Sequence, residues 1–258
     1  MILPASYLNG FAPRDGRPLY PELWRGCVGA WSPGLGPTGL TLRDWSGSAR
    51  PCTLSNMTAA EAWVLSHGRY ALNCDGVNDY GNCGTISEIV AASAETTILA
   101  WVYRRSSSGG ICSYRNAPGS GWATQWTTTG TLRCFTGGAG TESTLNVGTN
   151  AWVPVAFVWS QTSITMHMRG AAPQTFSITK DAGTGFLSIG GWDSGATAPP
   201  DGLFEDIRVY DRRLSTTTIN TYFTRRGIAY EMAPRRRLSV QSVVSYSTFR
   251  PSVLRGSR

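Results

Sequence analysis

The chain has 258 residues, of which 41% are hydrophobic and 15% are charged, and its formal net charge is +7. A chain of this length can bury one sizeable core as a single β-sandwich. Its 30 glycines and 10 tryptophans suit an all-β protein with many turns. The sequence has no apolar run of about 18 residues, so we expect no transmembrane helix. In residues 1–21 no basic segment is followed by an apolar one, and we expect no secretory signal.

The positive charge is concentrated in one segment. Residues 225–258 contain eight arginines and one acid, Glu231, so they alone account for the net charge. The rest of the chain holds equal numbers of basic and acidic side chains, and Lys180 is the only lysine. Arginine forms forked hydrogen bonds to carboxylates and phosphates, although a genome rich in arginine codons explains its abundance equally well. We predict that this segment and the neutral body have separate roles.

The predicted elements begin with an extended N-terminal arm over residues 1–22, which contain several prolines and little periodicity. Three later segments alternate with a period of two, which predicts strands of antiparallel sheets: TTILAWVYRR (96–105), WVPVAFVW (152–159) and SITMHMR (163–169). Glycines supply the predicted turns, at Gly170 and in the stretches 109–110, 137–140 and 190–195.

One short helix is predicted after residue 215. Ser215 suits its N-cap, Ile219, Tyr222 and Phe223 share one face, and Gly227 can end it. The arginine-rich segment follows, and its stretch SVQSVVSYSTF mixes polar and β-branched residues. We predict that this stretch can add a strand to another sheet.

Four motifs in this order resemble the laminin G-like branch of the concanavalin A-like jelly rolls. They are GCVGAWSP with LTLRDWSGSARPCTL, YALNCDGVNDYGNCG (70–84), the pair TTILAWVYRR and WVPVAFVWSQTSITMHMRG, and LSIGGWDSGATAPPDGLFEDIRVYDRRLSTTTI (187–219). The resemblance covers roughly residues 24–224 and implies two antiparallel sheets packed face to face, one of them concave. We therefore predict an all-β jelly-roll sandwich over residues 23–230, with one short helix, an arm over 1–22 and an arginine-rich arm over 231–258.

An enzyme is not expected. Glycoside hydrolysis needs two carboxylates at a fixed separation, but Glu205 and Asp206 are adjacent and should point to opposite faces of a strand. By parity Glu205 should share a face with Ile207 and Val209, as a structural group bonded to loop amides. Neither histidine lies in a recognisable catalytic setting, and we predict no catalytic residues.

Metal and cysteine chemistry leave alternatives open. No cofactor is expected, but Asp75, Asn78 and Asp79 offer oxygens that could bind calcium; side chains that stabilise their own turn explain the same residues. The six cysteines have no metal-ligand spacing and are predicted to be free and buried. The less favoured alternative is a Cys74–Cys83 disulfide across a hairpin.

The tryptophans divide into two groups. Trp31, Trp101 and Trp159 match the core pattern of the family that the sequence resembles, and we expect them to be buried. Four other aromatic residues are equally well explained by glycan contact, a protein interface or local packing: Tyr114, Trp122, Trp126 and Trp192.

The arginine-rich segment has three interpretations. A nucleic-acid-binding segment usually carries more lysine, and a membrane-surface segment needs an amphipathic helix, which the β-branched residues disfavour. We favour a docking arm whose arginines pair with carboxylates of neighbouring subunits. The predicted partner contacts are Arg225, Arg226, Arg235, Arg236, Arg237, Arg250 and Arg255.

The functional hypothesis follows from the neutral body and its two arms. We expect a non-enzymatic structural subunit of a large assembly, such as a bacteriophage head or tail decoration protein located in the virion. Domains of this kind are similar to ones found in phage structural proteins. Its partners would be other coat subunits, reached through both termini, and further copies of itself, with a surface glycan on the outer face. The alternative is a lectin-like carbohydrate-binding or adhesion module, extracellular or at the cell surface.

Overall fold

The structure is a computed structural model that describes residues 18–117, 119–192 and 197–232. Sixteen strands are described, in chain order: β1 (Cys27–Trp31), β2 (Thr41–Leu42), β3 (Cys52–Ser55), β4 (Trp63–Ser66), β5 (Arg69–Asp75), β6 (Tyr80–Asn82), β7 (Thr96–Arg104), β8 (Gly109–Tyr114), β9 (Trp122–Trp126), β10 (Thr131–Thr136), β11 (Ala139–Asn146), β12 (Trp152–Trp159), β13 (Ser163–Met168), β14 (Gln174–Ser177), β15 (Leu187–Ile189) and β16 (Asp201–Tyr210). The α-helices are α1 (Ser87–Val90) and α2 (Thr216–Phe223), and three short 3-10 helices are Pro21–Leu23, Pro33–Leu35 and Ile228–Tyr230. None of the described helices is long and apolar enough to cross a membrane.

The strands form two antiparallel sheets of eight strands each. Sheet A has the order β14-β13-β12-β7-β16-β5-β4, and β1 pairs with the second half of β16. Sheet B has the order β11-β10-β9-β8-β15-β6-β3-β2. This arrangement confirms the predicted two-sheet sandwich.

The main core lies between the two sheets. On β7 the side chains of Ile98, Ala100 and Val102 face this core, whereas Leu99 and Trp101 face the other side of sheet A. The predicted alternation is therefore confirmed. Trp31 and Trp159 are buried in the main core, and Trp101 is buried in a second cluster, so all three are core residues as expected.

The second apolar cluster covers the outer face of sheet A. Helix α2 contributes Ile219, Tyr222 and Phe223, and its N-terminus is capped as predicted, since the Ser215 Oγ accepts the Thr218 N–H at 3.2 Å. Gly227 adopts φ +73° after the helix, a conformation that favours glycine. The helix thus anchors the chain that follows β16 onto the sheet.

The two ends of the described chain lie side by side on this cluster. Pro18 forms a β-bridge with Met232, and the Leu19 N–H donates to the Glu231 carbonyl at 2.8 Å. The Trp24 indole donates to the Ala229 carbonyl at 2.9 Å. The described chain therefore begins and ends at neighbouring positions. Residues 1–17 and 233–258, which hold most of the predicted arms and the predicted strand SVQSVVSYSTF, lie outside the described residues.

The segment 70–84 connects the two sheets. β5 belongs to sheet A and β6 to sheet B, so Cys74 and Cys83 do not face each other across a hairpin. All six cysteines are buried and free, as predicted; the alternative of a Cys74–Cys83 disulfide is wrong because the turn between them changes sheets.

Two glycines predicted to form a turn lie within a strand instead. Gly109 and Gly110 belong to β8, where a Cβ on Gly109 would lie 2.6 Å from the Trp126 ring and one on Gly110 would lie 2.8 Å from the Trp192 ring. Glycine is needed here because two indoles pack against the strand backbone.

Candidate binding site

A small cavity opens at the rim of the sandwich, beside the loop that joins β1 to β2. Its volume is about 220 Å³, and it is lined by Ser32, Leu35, Gly36, Pro37, Thr38, Leu42, Arg43, Trp45 and Trp63. This volume is below the roughly 300–1,000 Å³ of pockets for drug-sized ligands. The cavity therefore suits one small ring.

The sequence PGLGPTG (33–39) shapes the wall of this cavity. The 3-10 helix Pro33–Leu35 ends at Gly36, which adopts φ +118°, and Gly39 adopts φ +73°. Both values lie in the region that side chains other than glycine seldom adopt. The Trp63 indole N–H donates to the Gly39 carbonyl at 2.7 Å, which fixes this ring against the loop.

A buried carboxylate fixes the chain between the lining residues Arg43 and Trp45. Asp44 is 6% exposed, and its Oδ1 accepts the Ala30 N–H at 2.9 Å and the Ser46 N–H at 2.8 Å. Its Oδ2 accepts from the Ser46 hydroxyl and the Arg50 N–H, both at 2.9 Å. Four hydrogen bonds around one side chain fix the backbone on both sides of Trp45.

A positively charged side chain, Arg43, lies against one of the aromatic walls of the cavity. The Arg43 guanidinium lies 4.5 Å from the centre of the Trp45 ring, and the same indole packs edge-on against Tyr230 at 6.4 Å. Two partly buried indoles, the Thr38 hydroxyl and a guanidinium suit a ligand with an apolar face and hydroxyl groups. The cavity thus offers stacking surfaces and hydrogen-bonding groups to such a ligand.

Three of the four predicted glycan contacts are wrong. Tyr114, Trp122 and Trp126 are fully buried in the main core, so their rings have no open face for a sugar. The Tyr114 hydroxyl accepts the Ile86 N–H at 2.9 Å, and the Trp126 indole donates to the Ser107 carbonyl at 2.8 Å. Local packing is therefore the correct explanation for these three residues.

Trp192, the fourth, is 7% exposed and lies on the outer face of sheet B. Its ring packs edge-on against Phe135 with 4.8 Å between ring centres, and the Arg115 guanidinium lies 5.2 Å away. Both neighbours hold the indole against the sheet. The prediction of a glycan contact at Trp192 is therefore not supported by its position.

Two arginines predicted to bind partners are used within the body. Arg225 forms an ion pair with Glu231. Arg226 is nearly buried, with its guanidinium 3.1 Å from Glu205 Oε2 and 4.5 Å from the centre of the Trp152 ring. For Arg226 the prediction is corrected, because a carboxylate and an indole of the same chain hold it. The other predicted contacts, Arg235, Arg236, Arg237, Arg250 and Arg255, lie outside the described residues.

Glu205 lies on a different face from the one predicted. β16 pairs with β5 up to Phe204 and with β1 from Ile207 onward, and a bulge lies between them, where Asp206 adopts φ +50°. The extra residue reverses the parity, so Ile207 faces the main core while Glu205 faces away from it.

The two carboxylates at the bulge are buried in ion pairs. Glu205 is fully buried against Arg69 and Arg226, in place of the loop amides that were expected, and Asp206 pairs with Arg208 at 2.8 Å. Burial raises the pKa of Glu205, and the two arginines oppose that rise. Arginines of the same chain hold both carboxylates inside the fold, so Glu205 is a structural group as predicted, with partners other than the predicted ones.

The predicted calcium ligands interact with their own turn. Asp75 Oδ1 accepts the Val77 N–H at 2.8 Å, and Asp79 Oδ2 accepts the Asp75 N–H at 3.0 Å. The Asn78 carbonyl accepts from the Asn56 side chain at 2.9 Å. Burial raises the pKa of Asp79. In the described part of the chain no three His, Cys, Asp or Glu side chains are grouped to hold a metal ion. The turn-stabilising alternative accounts for these contacts.

The residues that line the cavity were missed from sequence. Glycines and prolines such as those in PGLGPTG indicate only a loop. One signal in the sequence could have indicated the cavity: this loop lies between Trp31 and Trp45, and Trp63 follows 18 residues after Trp45.

Comparisons with known proteins agree with this fold. A family model, Laminin_G_3, described as the concanavalin A-like lectin/glucanases superfamily, matches residues 75–220. A comparison with curated proteins gave no match. Similar solved structures include Trypanosoma rangeli sialidase in complex with sialic acid, with TM-score 0.55, 14% identity, and coverage of 77% of this chain and 33% of that one.

Two further similar structures are toxin domains. The receptor-binding domain of botulinum neurotoxin C/D mosaic serotype has TM-score 0.57 and 11% identity, with coverage of 77% of this chain and 51% of that one. The binding domain of serotype D has TM-score 0.57 and 12% identity, with coverage of 79% and 52%. The chain thus spans about a third of the sialidase and half of the toxin domains, and at these identities the likeness shows the fold alone. On the family match, the chain belongs to the concanavalin A-like lectin/glucanases superfamily.

Proposed function

We propose that this protein is a non-enzymatic binding subunit of a large assembly, attached through its two terminal segments. The observation that carries the proposal is the pairing of Pro18 with Met232. Residues 18 and 232, to which the two terminal segments are joined, are therefore neighbours on the covered face of sheet A, and sheet B lies on the other side of the main core.

The charge distribution supports docking to protein. Of the eight arginines in residues 225–258, Arg225 and Arg226 are already paired within the body, and the other six follow residue 232. Arginines spaced among β-branched residues suit a segment that pairs with carboxylates while adding a strand to a neighbouring sheet. We propose that the assembly is a bacteriophage virion, that the neighbours are coat subunits, and that further copies of this chain are among them.

Removal of residues 233–258 should abolish incorporation into the particle and leave the body folded, because both apolar clusters and all sixteen described strands are built from residues before 233. Sedimented particles assembled with the truncated chain measure incorporation, and thermal unfolding of the free protein measures folding. A matched variant, Arg235→Gln/Arg236→Gln/Arg237→Gln, keeps the chain length and should reduce incorporation at least about tenfold through lost ion pairs.

Unchanged incorporation of the truncated chain would contradict the docking proposal. Binding of the full chain to DNA distinguishes the nucleic-acid interpretation. If the affinity for DNA falls steeply with salt and the triple variant loses it, the segment binds phosphates and the proposed protein docking is wrong.

We propose in addition that the rim cavity binds a carbohydrate. Two indoles and a guanidinium line a space of about 220 Å³, and carbohydrate rings stack their apolar faces on aromatic side chains. The similar sialidase was solved with sialic acid, and the toxin domains are named for binding. The cavity lies close to the end of the described chain, because its Trp45 packs against Tyr230. Attachment and glycan binding are therefore tested separately.

Trp63→Ala should weaken glycan binding by roughly 10–100-fold, because a stacked indole contributes about 1–3 kcal/mol. A glycan array with the full chain identifies the ligand, and titration calorimetry with that glycan measures the loss. Tyr70→Ala is the control: Tyr70 is 38% exposed and does not line the cavity, so binding should be unchanged. Equal losses in both variants, or no glycan bound by the wild type, would refute the proposal.

A further inference from the structure

Two buried cysteines lie opposite each other in sheet B, Cys52 at the start of β3 and Cys83 directly after β6. The register of β3 and β6 pairs Thr53 with Asn82, so Cys52 and Cys83 are the next directly opposed pair. Their sulfur atoms are 2.7 Å apart. Directly opposed residues of antiparallel strands have Cα atoms about 4.5–5.5 Å apart, within the roughly 4.4–6.8 Å that a disulfide spans.

The surroundings give the two sulfur atoms this position. A Cβ on Gly81 would lie 2.6 Å from the Cys52 Sγ, so the glycine leaves the space that this sulfur occupies. Cys74 is in sheet A and Cys112 lies beyond β15, opposite Ile189. Among the cysteines, which are all described, Cys52 and Cys83 are the pair whose sulfur atoms are in hydrogen-bond contact.

We propose that Cys52 and Cys83 form a disulfide under oxidising conditions. One thiolate attacks a low-molecular-weight disulfide such as oxidised glutathione and releases one glutathione thiol. The second cysteine then attacks the mixed disulfide and releases the other, so two protein thiols are oxidised and one glutathione disulfide is reduced. The bond joins neighbouring positions of sheet B and closes a loop of the chain that passes through β4 and β5 of sheet A.

The exchange takes place before the core closes. Cys52 is fully buried and Cys83 is 2% exposed in the folded protein, so glutathione does not reach them there. Burial also raises the pKa of the Cys83 thiol, which disfavours the reactive thiolate. The bond therefore depends on the conditions during folding.

The test is refolding of the reduced full chain in a mixture of reduced and oxidised glutathione, followed by denaturation and alkylation with N-ethylmaleimide. The expected intact mass carries four adducts on the six cysteines. Trypsin should release a cross-link between residues 44–69, which contain Cys52, and residues 70–104, which contain both Cys74 and Cys83.

Two variants assign the bond. In Cys74→Ala the cross-link should persist, and in Cys83→Ala it should be lost. Addition of reductant should lower the melting temperature of the refolded wild type by roughly 5–15 °C and leave Cys52→Ala/Cys83→Ala unchanged. Six adducts, a bond that disappears in Cys74→Ala, or a cross-link to the peptide that contains Cys112 would overturn the proposal.

Discussion

Replacement of Arg208 by leucine should destabilise the protein by about 3–5 kcal/mol, since it leaves a buried carboxylate without its counter-charge. Arg208 is fully buried and donates to Asp206 Oδ1 at 2.8 Å and to the Leu23 carbonyl at 3.0 Å. Its guanidinium lies 4.3 Å from the centre of the Trp24 ring and 4.7 Å from that of Tyr230. One side chain thus connects β16 with both ends of the described chain.

Urea unfolding followed by tryptophan fluorescence measures this loss. In Asp206→Asn/Arg208→Leu the stranded charge is absent, so about half of the stability should return. Arg133→Leu is the control, because its guanidinium stacks on Phe135 at 4.2 Å and no buried carboxylate of the described residues pairs with it. This variant should cost less than about 1 kcal/mol. If Arg208→Leu and Arg133→Leu unfold at the same urea concentration, the buried ion pair does not stabilise the fold.

Replacement of Lys180 by methionine should cost about 3 kcal/mol, because it leaves buried carbonyl groups without a donor. The fully buried Nζ of Lys180 donates to the carbonyls of Ala94 at 2.7 Å and Ile89 at 3.3 Å, and to the Thr96 hydroxyl at 2.9 Å. Ile89 lies in the single turn of α1, and Ala94 and Thr96 follow it. Helix α1 was not predicted from the sequence. The only lysine of the chain thus holds the segment between α1 and β7.

The pH dependence provides a second readout for Lys180. Burial lowers the pKa of Lys180 from its ordinary 10.5 to about 8. Between these values the unfolded state binds more protons than the folded state, so the lysine makes the free energy of unfolding rise with pH. The stability difference between wild type and Lys180→Met should therefore be larger at pH 9.5 than at pH 7.5, by at most about 1.4 kcal/mol per pH unit.

A neutral variant separates charge from hydrogen bonding. Lys180→Gln keeps two N–H donors and should recover part of the loss, but it should follow Lys180→Met in its dependence on pH. Chemical denaturation at the two pH values measures all three proteins. A difference between wild type and Lys180→Met that stays constant or shrinks at pH 9.5 would show that Lys180 does not titrate in this range.

The features that were predicted correctly depend on residues close together in sequence. The alternation on β7 and the Ser215 cap of α2 are local patterns, and the order of four motifs was enough for the sandwich. The second cluster on sheet A was not predicted, because its members come from both ends of the body, such as Leu23 and Tyr230. Sequence spacing alone does not indicate that such distant residues meet.

The wrong predictions also concern features that depend on how the strands pair in the folded protein. A bulge at Asp206 reversed the face of Glu205, and no glycine marks that bulge in the sequence. The residues around Tyr114 and Trp122 fit a loop or a buried strand equally well. Only the order of the strands in the sheet shows that both side chains are buried. The Cys52–Cys83 contact depends on the pairing of β3 with β6, which a single sequence does not reveal.

The position of β16 has a consequence for synthesis on the ribosome. This strand lies in the middle of sheet A, between β7 on one edge and β5 and β1 on the other, yet it is the last of the described strands in chain order. Sheet A therefore cannot close until residue 210 has left the exit tunnel, and until then β7, β5 and β1 each have an edge without its partner. Nascent chains of this protein should depend on chaperones until the last tenth of the body is made.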